Sequence, residues 1–431
     1  MLKPTRNLSN PILSPQAANN DIRSCYSATF TVALRYFSLY RNFSHCSYRT
    51  AMSPRNSGAC VLNSRDMLRI PAIIGIAVFT LFQVKLCAAP LYQITDIGTF
   101  GRSIFVMNLN ASGTVIGGGL DANGILKAFE WTRESGFQFL QAPGGTGTRL
   151  NDINAAGLIV GDFDIGGGSR AFLYDGNQYS LLPSLPNGYP NQGDHATSIN
   201  SAGTIAGFGY GSGPSALQAL TWPSGGGLPQ STGLCCFTEG LNDNGQMVGI
   251  VQDIQNIQYA TIWNAGIPST IPRLPGDGFN QTSAINNQGE VIGISGTLNS
   301  YRAYLYSGGV VSQIGIACAS APQPLDINDA SEIVGSCGSF AALFQSGQVL
   351  DLNQLIPLSP GLQLTQARAI NASGQIAVNG TINGVSHAFI LTPVPEPGSA
   401  LLLAGALLAL AMFKGKRALS GRKSSVAYEV S

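Results

Sequence analysis

Charge is scarce in this chain. Of 431 residues only 10% are Asp, Glu, Lys or Arg, where about 25% is ordinary, and the near balance of signs hides a segregation. Residues 1–89 carry ten Lys or Arg and two acids, residues 90–393 eight and eighteen, and residues 394–431 five and two. The central stretch is thus acidic by ten (18 − 8). That argues against nucleic acid as its partner, because affinity for phosphate backbones is dominated by cationic contacts. Histidine is scarcer still, with only His195 and His387 beyond residue 90. Neither accompanies a nucleophile motif, so no catalytic residue is expected: His195 reads as a solvated loop residue beside Asp194, and His387 as a structural residue. No His stands at ligand spacing from a Cys, and Asp162-Phe163-Asp164-Ile165-Gly166 opens like a calcium loop without its distal bidentate acid, so no metal is expected. The glycine runs at 117–119, 166–168 and 225–227 lead into neither a helix nor a Lys, which removes phosphate cradling and leaves no cofactor to expect.

Glycine, by contrast, is abundant, at 53 of 431 residues, and much of it belongs to a repeat. The frame Asn-x-x-Gly-x-x-x-Gly starts at Asn110, Asn154, Asn200, Asn242, Asn286, Asn328 and Asn371, at intervals of 44, 46, 42, 44, 42 and 43 residues. An Asn that bonds its own backbone, followed by a Gly that takes the left-handed conformation, is hairpin chemistry. Short apolar runs such as Leu158-Ile159-Val160 follow the turn, and the second Gly falls where a strand admits another backbone closely. A third strand follows as Ala128-Phe129-Glu130-Trp131, Ala171-Phe172-Leu173-Tyr174 and their equivalents, with Phe129 and Trp131 on one face. A fourth precedes each Asn, as in Tyr92 to Ile97, Tyr179 to Leu182 and Val349 to Leu352.

Four short strands in about 43 residues, repeated seven times, predict an all-β, seven-bladed β-propeller over 90–393. If the blade boundary falls inside the repeat unit, Tyr92 to Ile97 and His387 to Leu391 pair in one blade and close the ring. Two departures are expected to show: Ser331 replaces the turn Gly in the sixth copy, predicting a different or weaker turn, and Val378 replaces the second Gly in the seventh. Asp152, Asp243 and Asp326 read as turn formers. Cys235, Cys236, Cys318 and Cys337 allow three pairings. Cys318 and Cys337 flank one repeat and could meet across neighbouring strands, whereas adjacent cysteines bridge only with strain, so Cys318–Cys337 is the expected disulfide.

The flanks read as targeting segments. Met67-Leu68-Arg69, the apolar stretch from Ile70 to Phe82 and Leu86-Cys87-Ala88-Ala89 make a signal peptide over 67–89 with a short helix, entering the Sec export machinery. Residues 1–66 then form a leader outside the working protein, with Met67 as the true start; a transit sequence is the rival reading, and a lipoprotein at Cys87 is disfavoured by Lys85. At the other end Val394-Pro395-Glu396-Pro397-Gly398 precedes a run from Ala400 to Phe413 and a basic cluster at Lys414, Lys416 and Arg417. Those 14 residues make about 21 Å of helix, short of a hydrocarbon core of about 30 Å. The positive-inside rule places the basic end, and the tail 418–431, in the cytoplasm.

Two resemblances meet here. Residues 394–417 resemble the PEP-CTERM sorting signal of Gram-negative bacteria that make extracellular polysaccharide, and the array resembles the HAF-repeat extracellular proteins, with His387-Ala388-Phe389 as the literal triplet. The resemblance implies cleavage by an exosortase near the Pro-Glu-Pro phrase after transient anchoring in the inner membrane. It implies a secreted or cell-surface protein whose propeller binds polysaccharide or another surface component without catalysis. An extracellular carbohydrate-active hydrolase or lyase, and a purely structural matrix protein, are the alternatives.

Overall fold

The computed structural model describes residues 92–394 apart from 187, 189–192, 212–216, 235–236, 254, 298–299, 319–320 and 346. The signal helix expected over 67–89, the membrane helix at 400–413, Pro395 to Gly398, Cys235 and Cys236 lie outside the described residues. Within them the chain is a seven-bladed β-propeller, each blade a four-stranded antiparallel sheet. Six blades take their strands consecutively, over 103–140, 146–181, 194–234, 237–270, 279–314 and 322–351. The seventh combines three strands of 362–393 with Tyr92–Gly98. Tyr92 pairs with Pro393, Ile94 with Leu391 and Asp96 with Phe389, so the two ends of the array do close one blade. This fixes the phase: the strand preceding each Asn phrase at a distance, such as Tyr179–Leu181, is the outer edge of the blade before. The described residues contain no α-helix, only a 3-10 turn at Leu352–Gln354.

Each third strand buries both faces, because a propeller blade is packed on both sides. Phe129 and Trp131 pack with Ala377 and Ile390 of blade seven, while Ala128, on the opposite face, joins Leu150, Ile159 and Phe172 of blade two. The alternation of Ala with a large aromatic residue is thus one small and one large face per blade, and neighbouring blades interdigitate.

The second glycine of the frame is a packing requirement. A Cβ at Gly293 would stand 2.0 Å from the carbonyl oxygen of Gln281 on the inner strand, and one at Gly117 2.2 Å from that of Phe105. Val378 keeps the frame register, opposite Ala367 as Gly293 is opposite Thr282, but the inner strand of blade seven carries an additional bulge between Leu364 and Gln366 immediately beside this pair. The close approach moves two residues along, to Gly380, whose Cβ position is 2.4 Å from the Gln363 carbonyl oxygen. Ser331 keeps the common turn: it takes φ 59°, and its N–H donates to the Asn328 carbonyl as the turn glycines do. The expectation of a different turn in blade six is therefore corrected, while the left-handed Ser retains its cost relative to Gly. Cys318 and Cys337 are disulfide-bonded, with Cα atoms 5.6 Å apart, tying the link between blades five and six to the second strand of blade six.

Candidate functional site: the axial channel

The seven frame asparagines form a closed hydrogen-bonded ring. Each side-chain nitrogen donates to the backbone carbonyl of the next asparagine: Asn110 to Asn154, Asn154 to Asn200, Asn200 to Asn242, Asn242 to Asn286, Asn286 to Asn328, Asn328 to Asn371 and Asn371 to Asn110, all between 3.0 and 3.3 Å. Each Oδ1 meanwhile accepts backbone N–H groups of its own turn, as Asn286 does from Gln288 and Glu290. One residue type serves both because an amide carries a donor and an acceptor, whereas an ionised Asp only accepts. These side chains are buried, so their role is to join blades.

Above this ring every inner strand shifts register at one equivalent place, between Val106 and Asn108, Leu150 and Asp152, Ala196 and Ser198, Thr238 and Gly240, Thr282 and Ala284, Pro324 and Asp326, and Ala367 and Ala369, the strands of blades two and seven having a second shift elsewhere. The seven bulged residues, three before each Asn, all line a cavity of about 710 Å³ on the axis. In ring order they are Met107, Asn151, Thr197, Glu239, Ser283, Leu325 and Arg368. A bulge re-aims a side chain out of the pleat, and here it does so seven times at one level.

Asp152 and Asp326 stand next to this collar and are not turn formers, contrary to expectation. Asp152 accepts from the backbone N–H of Ile153 and, in the next blade, of Ile199, both at 2.8 Å, and from the Asn108 amide. Asp326 accepts likewise from Ile327 and Ile370. Both carboxylates are spent on stapling adjacent blades. Burial pushes Asp152 up to about 7 and Asp326 up to about 6, against the pull of those N–H donors. Asp243 is also an inter-blade acceptor, taking the Ser201 N–H at 2.8 Å.

Glu239 and Arg368 differ from these aspartates. Burial pushes Glu239 up to about 7, with only the Arg368 charge opposing it. Burial lowers Arg368, with Asp326 and Glu239 opposing. The guanidinium's polar contact is a Met107 sulfur at 4.0 Å, and among the described residues no carboxylate lies within 4.0 Å of it.

Towards the channel mouth farther from the Asn ring lies a charged cluster. His195 belongs to an inner strand, Asp194–Ile199, rather than to a loop, and its side chain is only 25% exposed, which corrects the solvated reading. Its Nδ1 is 3.4 Å from Asp162, and its ring stacks on Phe208 at 4.7 Å between centroids. Asp162 also accepts from Arg149 at 2.7 Å and from Asn151 at 3.1 Å. Burial pushes Asp162 up, but His195, Asn151 and Arg149 together outweigh it and hold the carboxyl below its ordinary range. Asp164 pairs with Arg149 as well, so the calcium-like phrase is occupied by a guanidinium. His387 lies elsewhere, on the closing blade, with Nδ1 3.1 Å from the Asp96 carboxyl.

No family model and no curated protein matches the chain by sequence. Among solved structures the fold is similar to that of YCF48 bound to D1 peptide, at 11% identity and a TM-score of 0.46, over 72% of this chain and 98% of that one. It is similar also to XC5397 from Xanthomonas campestris, a gluconolactonase, at 14% identity and a TM-score of 0.37, over 71% and 92%. A third likeness is to a putative TolB from Agrobacterium tumefaciens, at 12% identity and a TM-score of 0.37, over 72% and 100%. All three concern the fold alone.

Proposed function

We propose that this protein is an exported, exosortase-processed propeller that acts at the cell surface or in the extracellular matrix by binding polysaccharide or another surface component in its axial channel, without catalysis. The observation that carries the binding reading is the collar: it offers amide and hydroxyl groups at Asn151, Thr197 and Ser283. The flanking carboxylates, Asp152 and Asp326, already hold backbone N–H groups and are not free to act as an acid and base pair. A hydrolase or lyase would draw on Glu239 and on the His195–Asp162 pair, and is the second reading for that reason.

Export and processing rest on the signal-like segment 67–89 and the sorting-like segment 394–417, with Sec machinery and an exosortase as partners and the inner membrane as a passing one. The geometry suits such tethering. The position of a Cβ at Gly374, in the hairpin of Asn371, is 3.2 Å from Pro393, so the chain leaves the propeller on the face of the Asn ring. A tail anchored there leaves the mouth near His195 open to solvent. Glycan-array binding by the exported protein tests the function, and loss of signal on every glycan would refute it. Intact mass of the exported protein tests processing: a mature form retaining residues 400–431 would contradict exosortase cleavage.

A further inference from the structure

We infer that the channel collar is a subsite for one uncharged sugar residue, whose hydroxyls bridge Glu239 and Arg368 and whose C–H surface rests on Met107 and Leu325. This rests on the saccharide-binding reading and assigns its ligand class and contacts.

Three observations lead to it. Glu239 and Arg368 lie three blades apart in the ring of seven, both line the cavity, and neither side chain has an ion pair among the described residues. Each therefore retains unused hydrogen-bonding capacity: two acceptor oxygens on one side, a fork of N–H donors on the other. The Ser283 hydroxyl, beside Glu239 in ring order, is likewise unbonded among the described residues. Glu239 is exposed on the channel wall and Arg368 half-buried beside it, so these groups are open to a ligand, and charge-assisted hydrogen bonds of this kind are among the stronger ones.

The two charges also offset each other. A uronate would satisfy Arg368 but repel Glu239, and an amino sugar would do the reverse. The excess of acids over bases across 90–393 further opposes an anion. A neutral sugar donates hydroxyl protons to the carboxylate and accepts from the guanidinium, so both are answered at once.

The collar is also two-sided. In ring order Leu325 and Met107 flank Arg368, while Thr197 and Ser283 flank Glu239, with Asn151 between Met107 and Thr197. Apolar contact on one side and polar contact on the other match a pyranose, which has C–H patches and hydroxyl edges. A cavity of about 710 Å³ falls within the range of small-molecule sites, about 300–1,000 Å³.

The test is calorimetric titration of the full chain with neutral gluco- and manno-oligosaccharides, with oligoglucuronate and oligoglucosamine as charged counterparts. Neutral oligosaccharides should bind, and E239Q and R368M should each weaken binding by tenfold or more without lowering the thermal midpoint. S283L, which narrows the channel without removing a structural hydrogen bond, provides the same readout if R368M folds poorly. Tighter binding of either charged series than of the neutral one would overturn the inference. Neutral binding that survives E239Q and S283L would overturn it too while leaving saccharide binding intact at another surface. Absence of binding to every saccharide would defeat both the inference and the reading beneath it.

Discussion

The side-chain amide of Asn371 donates to the backbone carbonyl of Asn110 at 3.0 Å, across 261 residues of sequence. This bond completes a circle in which no asparagine is terminal, and it acts beside the pairing of Tyr92 with Pro393 that closes the same blade at its outer edge. Closure is therefore made twice, on the axis and at the rim.

Replacing one ring asparagine should cost more than an ordinary hairpin substitution. N371A removes the donor to Asn110 and leaves the N–H groups of Ser373 and Gln375 without their acceptor. With unsatisfied buried groups costing about 1–3 kcal/mol each, the urea midpoint should drop clearly. N371D restores the acceptor but not the donor and should recover only part of the loss. Equal midpoints for N371A and the parent would show that the ring contributes nothing.

The turns were legible in the sequence because their chemistry is local: Asn and Gly three residues apart fold the same way wherever they occur. The collar was not, because an alternating strand reading places Met107, Asn151, Glu239 and Arg368 in the sheet pleat and takes no account of a bulge. The available signal was the polar residue three before most of the asparagines, Asn151, Thr197, Glu239, Ser283 and Arg368. The partnership of His195 with Asp162 spans two blades and leaves no local trace. Asp152 and Asp326 looked like turn residues because Asp usually is one; only the neighbouring blade reveals their backbone partners.

The glycine that faces the inner-strand carbonyl should tolerate no side chain in either of its two positions. G293A meets Gln281 and G380A meets Gln363; overpacking of this kind costs about 1–3 kcal/mol. Both should lower the thermal midpoint to a similar degree, even though blade seven has Val at the frame position. A neutral G380A would mean that the extra bulge between Leu364 and Gln366 relieves the contact altogether.

Reduction should loosen blade six. Cys318 and Cys337 are 19 residues apart, and in the loop-entropy account a cross-link of about that span contributes about 3 kcal/mol. The C318S/C337S double variant should melt lower than the parent and lose the parent's sensitivity to reductant. Alkylation followed by mass measurement reads the bond directly: both thiols reacting without prior reduction would show that it does not form.

Acidity should strengthen the folded propeller over a defined window. Asp152 and Asp326 are raised from an ordinary value near 3.8 to about 7 and about 6, and Glu239 from 4.5 to about 7, in each case chiefly by burial. A raised carboxyl binds its proton in the folded state while the unfolded chain has released it, so the unfolded state holds fewer protons between about pH 4 and 7. Stability from these groups is full below the unfolded pKa and is lost as pH rises through the folded one. Asp162 acts in the opposite sense, since its lowered pKa stabilises above the unfolded value and is lost on acidification through the folded one. The two effects occupy different ranges. The thermal midpoint should therefore fall as pH is raised from about 5 to 7.5, and E239Q, which cannot ionise, should make that fall shallower. A midpoint that rises over the same interval in the parent, or a slope unchanged in E239Q, would contradict a raised carboxyl at Glu239 on the channel wall.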